Sequence, residues 1–205
     1  MVPFLLRVSL PDIPGSLGRL ASAIGEAGGD IEAIEIVEKR DGSAVDDVLL
    51  EMAPGAMPDS VVSACNVLDG VEVLWISRYA AGGNLFLDLE VVEDLTEDPS
   101  NALDLVVDRL PLAFRVDWAV RLRRGAGIDG AEVVHSAGGA PSDLSWHRID
   151  GPERLPSTDE VTVLCAAPMG PDIVVLGRRG GPEFLDSELA RLAHLLQLSR
   201  HISRA

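Results

Sequence analysis

Cysteine is scarce in this 205-residue chain: Cys65 and Cys165 stand alone, far apart, in apolar periodic segments. That usage excludes a disulfide framework and a Cys-x-x-Cys metal pair, and suits reduced core thiols in a cytoplasmic setting. Aromatic residues make up only 4% of the sequence, too few to build stacking platforms for bases or sugars. Basic residues number 17 against 33 acidic ones. The resulting formal charge of −16 repels phosphate backbones and anionic membrane surfaces, so neither nucleic acid nor membrane is an expected partner. Both halves share the excess: residues 1–79 hold 13 acidic and 5 basic side chains, residues 80–205 hold 20 and 12. No apolar run approaches the length of a membrane span, and the N-terminus lacks the basic, apolar and cleavage regions of an export signal.

Recognisable catalytic apparatus is missing as well. His135, His147, His194 and His201 are isolated from one another, without His-Glu-x-x-His spacing, so no metal is expected. Arg178-Arg179-Gly180-Gly181 lacks the spacing of a phosphate-binding loop and reads as a solvated strand end. No Gly-x-Ser-x-Gly elbow occurs. A non-catalytic protein without a cofactor is the expectation.

What is present is periodicity, on a 47% hydrophobic background. Phe4, Leu6, Val8 and Leu10 alternate with Leu5, Arg7 and Ser9, the period of a strand with a buried face. Leu17, Leu20, Ala21, Ile24 and Ala27 then form one helical stripe over about 16–27, stopped by Gly28-Gly29. Ile34 and Ile36 belong to a strand that turns at Asp41-Gly42 into Val48, Leu50 and Met52. Pro58 opens a helix bearing Val61, Val62, Cys65 and Leu68, and a last strand runs from Val71 to Arg78 with Val73 and Trp75 on one face. Two strand-helix-strand halves of this kind predict an α+β, ferredoxin-like βαββαβ domain over residues 1–79. The small, uncharged residues 80–83 read as a linker to a second domain, 84–205.

In that second domain, Leu85, Leu89 and Val92 suggest a helix. Ala102, Leu103, Val106, Val107 and Leu110 form a firmer one that Pro111 should stop. Val116 to Arg123 alternates as a half-buried strand with Asp117, Arg121 and Arg123 on its polar face, and a second strand follows near 131–135. A Gly/Pro/Ser-rich loop of about twenty residues holds Trp146 and His147, a length that marks function or disorder. Two buried strands, 161–166 and 173–176, precede a terminal helix from about 186. Its wide apolar arc suggests packing against another helix or another subunit.

The stretch Pro11-Asp12-Ile13-Pro14-Gly15-Ser16-Leu17 forms a rigid corner between the first strand and the first helix. The first amides of a helix lack intrahelical partners and carry partial positive charge, a ready seat for a carboxylate. Asp12 is an acceptor suited to an ammonium group, so one loop could answer both ends of an α-amino acid. The competing reading is that Pro and Gly serve turn geometry alone and that Asp12 or Ser16 caps the helix.

Asp12-Ile13-Pro14-Gly15-Ser16-Leu17 after an alternating strand, with Gly28-Gly29-Asp30-Ile31 opening the second strand, resembles the ACT domain across residues 4–78. The resemblance implies a regulatory βαββαβ module that binds an amino acid or similar small effector where the loop meets a neighbouring module. Backbone amides around Pro14, Gly15 and Ser16 would take the carboxylate, while Asp12, Ile13, Leu17, Asp30 and Ile31 would line the rest. Residues 83–203 resemble a GAF domain. The carriers of that likeness are a leading helix, the strand FRVDWAVRL and the close VVLGRRGGPEFLDSELARLAHLL. That implies an α/β sensor with an antiparallel sheet, a long terminal helix that can pair in a homodimer, and a loop at 138–158 roofing a pocket. Three functions remain open: an amino-acid sensor, a regulatory or scaffold subunit that binds a protein partner, and an enzyme hidden in the second domain.

Overall fold

The computed structural model describes residues 3–78, 84–126, 130–142, 144–157 and 159–204. The chain folds as two compact units, Met1–Gly83 and Asn84–Ala205. The expected linker, 80–83, lies outside the described residues.

In the first unit the elements run β1 (Pro3–Pro11), α1 (Ser16–Glu26), β2 (Gly29–Arg40), β3 (Ser43–Met52), α2 (Pro58–Asn66) and β4 (Glu72–Arg78). The sheet order is β2-β3-β1-β4, antiparallel throughout, as a ferredoxin-like fold requires. The hairpin between β2 and β3 turns on Asp41 at φ 47° and Gly42 at φ 81°. Left-handed geometry at both central residues matches the strands' own twist. One face of the sheet packs Leu6, Val8, Val48 and Leu50 against Leu20 and Ile24 of α1 and Val61 and Cys65 of α2. Each such side chain contributes about 1.5–3 kcal/mol on burial.

Two details depart from the alternation. Leu17, expected on the buried stripe of α1, is exposed, and Ser16 is the buried residue of the first turn. In β4, Trp75 pairs with Arg7 but Val73 pairs with Val8, so Leu74 is an extra residue in a bulge. The bulge flips the parity. Val73 and Ile76 therefore share the helix-covered core, while Trp75 packs with Leu5 and Leu49 on the opposite face.

The second unit begins with α3 (Asn84–Glu97), a 3-10 turn (Pro99–Asn101) and α4 (Ala102–Phe114). Then come β5 (Trp118–Arg124), β6 (Ala131–Gly138), β7 (Glu153–Leu155), β8 (Thr162–Met169), β9 (Asp172–Arg179) and α5 (Asp186–Ile202). The five strands form an antiparallel sheet in the order β6-β5-β9-β8-β7. Helices α4 and α5 cover one face, with Val106, Leu110, Phe114, Leu192 and Leu196 over Ala119, Val174 and Leu176, and α3 packs on those helices through Val91 and Leu95. The other face carries Trp118, Val120, Leu122, Ile173 and Val175. Leu144, Trp146 and Ile149 of the long loop pack directly on it. Gly177 has to be glycine here, because a Cβ would overlap the Trp118 ring.

Several expectations about this unit need correction. Pro111 does not stop α4; it lies inside the last turn, where the lost amide removes a single helix bond, and the helix ends at Arg115 with φ 51°. The buried stripe of α3 is Leu87, Val91 and Leu95, while Leu89 is exposed. β5 is buried on both faces, since Arg121 is only 9% exposed. Its guanidinium bonds Asp172 at 2.7 Å and Asp104 of α4 at 3.0 Å. Arg178 is no solvated strand end. It is 3% exposed and bonds Glu188 at 2.8 Å and the Phe114 carbonyl at 2.9 Å, with its guanidinium over the Phe184 ring. The wide arc of α5 agrees with the expectation of a helix partner, packing against α4 and α3 as well as β8.

Candidate functional site

The corner after β1 is built by short-range bonds. The Asp12 amide donates to the Gly42 carbonyl at 2.8 Å, which ties the loop to the β2–β3 hairpin, and the Ile13 amide donates to Pro11 at 2.9 Å. Gly15 is the N-cap of α1 at φ 91°, a left-handed conformation that disfavours any residue with a Cβ, although the space beside it is open. No side chain caps the helix. Pro14 has no amide, and the Ser16 amide donates to the Ile13 carbonyl at 3.2 Å. Among the described residues, the amides of Gly15, Leu17 and Gly18 have no backbone acceptor, and no side chain caps them. Of the amides expected to take a carboxylate, that of Gly15 is left open and that of Ser16 is engaged; Leu17 and Gly18 supply the next open amides along the helix. Ser16 turns inward, its hydroxyl accepting from Arg19 at 3.3 Å. Ile13 and Leu17 are exposed apolar side chains on either side of Gly15 in the sequence.

Two charged residues at the corner have no counterpart among those picked out from sequence. Lys39, near the end of β2, donates to both Asp12 carboxylate oxygens at 2.9 and 3.0 Å, on the surface. Asp46 of β3 lies on the helix-facing side of the sheet, two residues from Ala44 and Val48 of the core, and is 2% exposed. Its Oδ1 is buried without a hydrogen-bond partner. Burial pushes the Asp46 carboxyl above the usual carboxylate range; Lys39 opposes that shift, and Asp47 and Asp12 add to it. A sequence signal for Asp46 did exist. Consecutive side chains on a strand point to opposite faces, so Asp46-Asp47 in an apolar strand puts one carboxylate on each. Asp47 answers Arg7 at 2.7 Å, both buried, whereas Asp46 keeps an unanswered oxygen.

Asp30 and Ile31 are not brought to the corner within one chain. They pair with Glu51 and Leu50, whereas the far end of β2, at Lys39, pairs with Ala44 beside the corner. Nine strand residues separate the two ends, about 30 Å. β2 is, however, an edge strand of its sheet.

Elsewhere, neither thiol is poised for nucleophilic chemistry. Burial pushes Cys65 up to about 11 and Cys165 higher still. His135 Nε2 lies 2.8 Å from Asp108 on the surface. Among the described residues, no group of three metal-ligating side chains converges, and no helix is long and apolar enough to cross a membrane.

Residues 4–58, from β1 to the first residue of α2, match the family model of the ACT domain. No curated protein matches the chain. Similar solved structures include the GAF domain of the Acinetobacter phosphoenolpyruvate-protein phosphotransferase, at 13% identity and TM-score 0.45 over 61% of this chain and 95% of that one. The GAF domain of a Coxiella burnetii phosphoenolpyruvate-protein phosphotransferase is 17% identical, with TM-score 0.43 over 60% and 96%. Free methionine-R-sulfoxide reductase from Neisseria meningitidis is 10% identical, with TM-score 0.47 over 62% and 93%. ACT domains are typically regulatory modules that sense small molecules.

Proposed function

We propose that this is a regulatory, non-catalytic protein whose first domain, residues 1–79, binds a free amino acid between two copies of the chain, and whose second, 84–205, is the sensor domain that responds. The observation that carries the reading is the uncapped start of α1, where a left-handed Gly15 precedes amides that no backbone carbonyl or capping side chain engages. A ligand carboxylate would accept from Leu17 and Gly18, and Asp12 would exchange its surface bond with Lys39 for the ligand's ammonium group. The edge position of β2 supports the second copy. If two β2 edges align antiparallel about a two-fold axis, the start of one lies opposite the end of the other. Asp30 and Ile31 of one protomer then approach the corner of its partner, which a single chain cannot achieve.

Thermal-shift screening of the full chain against each of the twenty amino acids tests this. One amino acid should raise the melting midpoint, with an apparent affinity that tightens as protein concentration rises, because ligand held between subunits favours the pair. Asp12→Ala and Gly15→Trp should each abolish the shift. If no amino acid shifts the midpoint and the protein instead captures a stoichiometric protein partner, the scaffold reading replaces this one.

A further inference from the structure

At the end of the first unit's sheet opposite the corner, a cavity of about 460 Å³ opens among Phe4, Met52, Ala53, Pro54, Met57 and Arg78. It falls within the size range of small-ligand sites. The surrounding sequence explains why it is preformed. Ala53-Pro54-Gly55-Ala56 is a tight turn with Gly55 at φ 86°, closed by the Ala56 amide on the Ala53 carbonyl at 3.0 Å. The Ala53 amide is in turn fastened to Gly28 at 2.9 Å. This wall is stiff, and two methionines complete the lining: Met52 is buried and Met57 is 61% exposed. Thioether chains adapt to ligands of varied shape.

The polar content of the cavity has one sign. Arg78 pairs with Phe4 across β4 and β1, so it shares the face of the sheet that carries the cavity. Among the described residues its guanidinium meets no carboxylate and no carbonyl, an unusual state in a chain of net charge −16. The N-terminus of α2, at Met57 and Pro58, opens onto the same cavity with no side-chain cap. Asp59 in its first turn already answers part of that dipole, which leaves Arg78 as the principal partner for an anion.

An apolar chamber with a single free guanidinium at its mouth selects a molecule with an apolar body and one anionic end. We propose that this cavity binds a medium-chain carboxylic acid, its carboxylate on Arg78 and its hydrocarbon among Phe4, Met52 and Met57. The site goes beyond the amino-acid reading and stands independently of it. Among the described residues lining it, Arg78 is the charged side chain and no carboxylate is present to meet the ammonium group of a zwitterion.

Calorimetric titration of the full chain with decanoate tests the proposal, with 1-decanol and decyltrimethylammonium as neutral and cationic counterparts. Decanoate should bind saturably, decanol at least tenfold more weakly, and the cation not at all. Arg78→Gln should weaken decanoate at least tenfold and leave decanol unchanged. Ala53→Trp should block both. Ala53, Met57 and Arg78 are exposed, so these variants should fold; if Ala53→Trp melts early, Met57→Glu replaces it, setting a carboxylate at the rim and weakening decanoate. Absence of saturable decanoate binding overturns the proposal. So does binding that Arg78→Gln leaves unchanged, or equal binding of the cation. The amino-acid thermal shift should persist in Arg78→Gln, so either reading can fail without the other.

Discussion

Helix α5 of the second unit and helix α1 of the first differ at their starts, and the buried acids of the two units differ in the same sense. In the second unit, α5 begins under Glu188, whose Oε2 accepts the Leu185 amide at 2.8 Å while Oε1 accepts from Arg178 at 2.8 Å. Buried Asp172 likewise holds two guanidinium groups, Arg121 at 2.7 Å and Arg123 at 2.8 Å. In the first unit, α1 begins with no cap, and buried Asp46 keeps an oxygen without a partner. A group left unsatisfied costs stability that a ligand can restore on binding, whereas a saturated network has nothing to gain. The contrast separates a frame from the proposed site.

Breaking the frame should show the largest effect. Arg178→Ala takes the guanidinium from the buried Glu188 Oε1 and from the Phe114 carbonyl, and should cost about 3–5 kcal/mol in chemical denaturation. Asp172→Asn comes next, at about 2–3 kcal/mol near neutral pH, because two guanidinium groups lose their shared charge. Its pH dependence sharpens the point. Burial alone would raise the Asp172 carboxyl, but its bonds to Arg123 and Arg121 outweigh burial and hold it below the usual range. The stability this provides is present above the unfolded-state value and disappears as pH falls through the lowered folded one. The gap between wild type and Asp172→Asn should therefore close in acid.

Asp46 should behave in the reverse sense. With its folded value raised, its contribution is most favourable below the unfolded value and is lost as pH rises through the folded one. Asp46→Asn should stabilise the unliganded protein by about 1 kcal/mol at neutral pH, with the gain vanishing in acid. Equal melting of wild type and Asp46→Asn across that range would erase the distinction between the two units. The smallest effect belongs to Gly15→Ala. The open space beside Gly15 leaves only the left-handed strain, about 1 kcal/mol, in thermal melts without ligand.

Much of the first unit could be read from residue order because its signals are local. Alternation along β1 and the Asp41-Gly42 turn each depend on neighbours a few residues away. The corner was legible at Gly15 for the same reason, since only glycine takes that φ freely. The Leu74 bulge escaped notice because alternation counts residues and cannot count an unpaired one. In the second unit, Arg121 and Arg178 look like surface charges in sequence, and their burial follows from acids 51 and 10 residues away. Lys39 was missed because its partner, Asp12, lies 27 residues off across the hairpin.

Sequence alone determined the order of strands and helices, the tight corner and the ACT-like character of the first unit, since period, turn chemistry and backbone freedom act over a few bonds. Tertiary structure alone decided which charges are buried and answered. It also decided that Asp30 stands some nine residues along β2 from the corner it was expected to serve, and that an apolar cavity opens beside Arg78. Burial and pairing depend on residues brought together from distant points of the chain, and no local pattern encodes that distance.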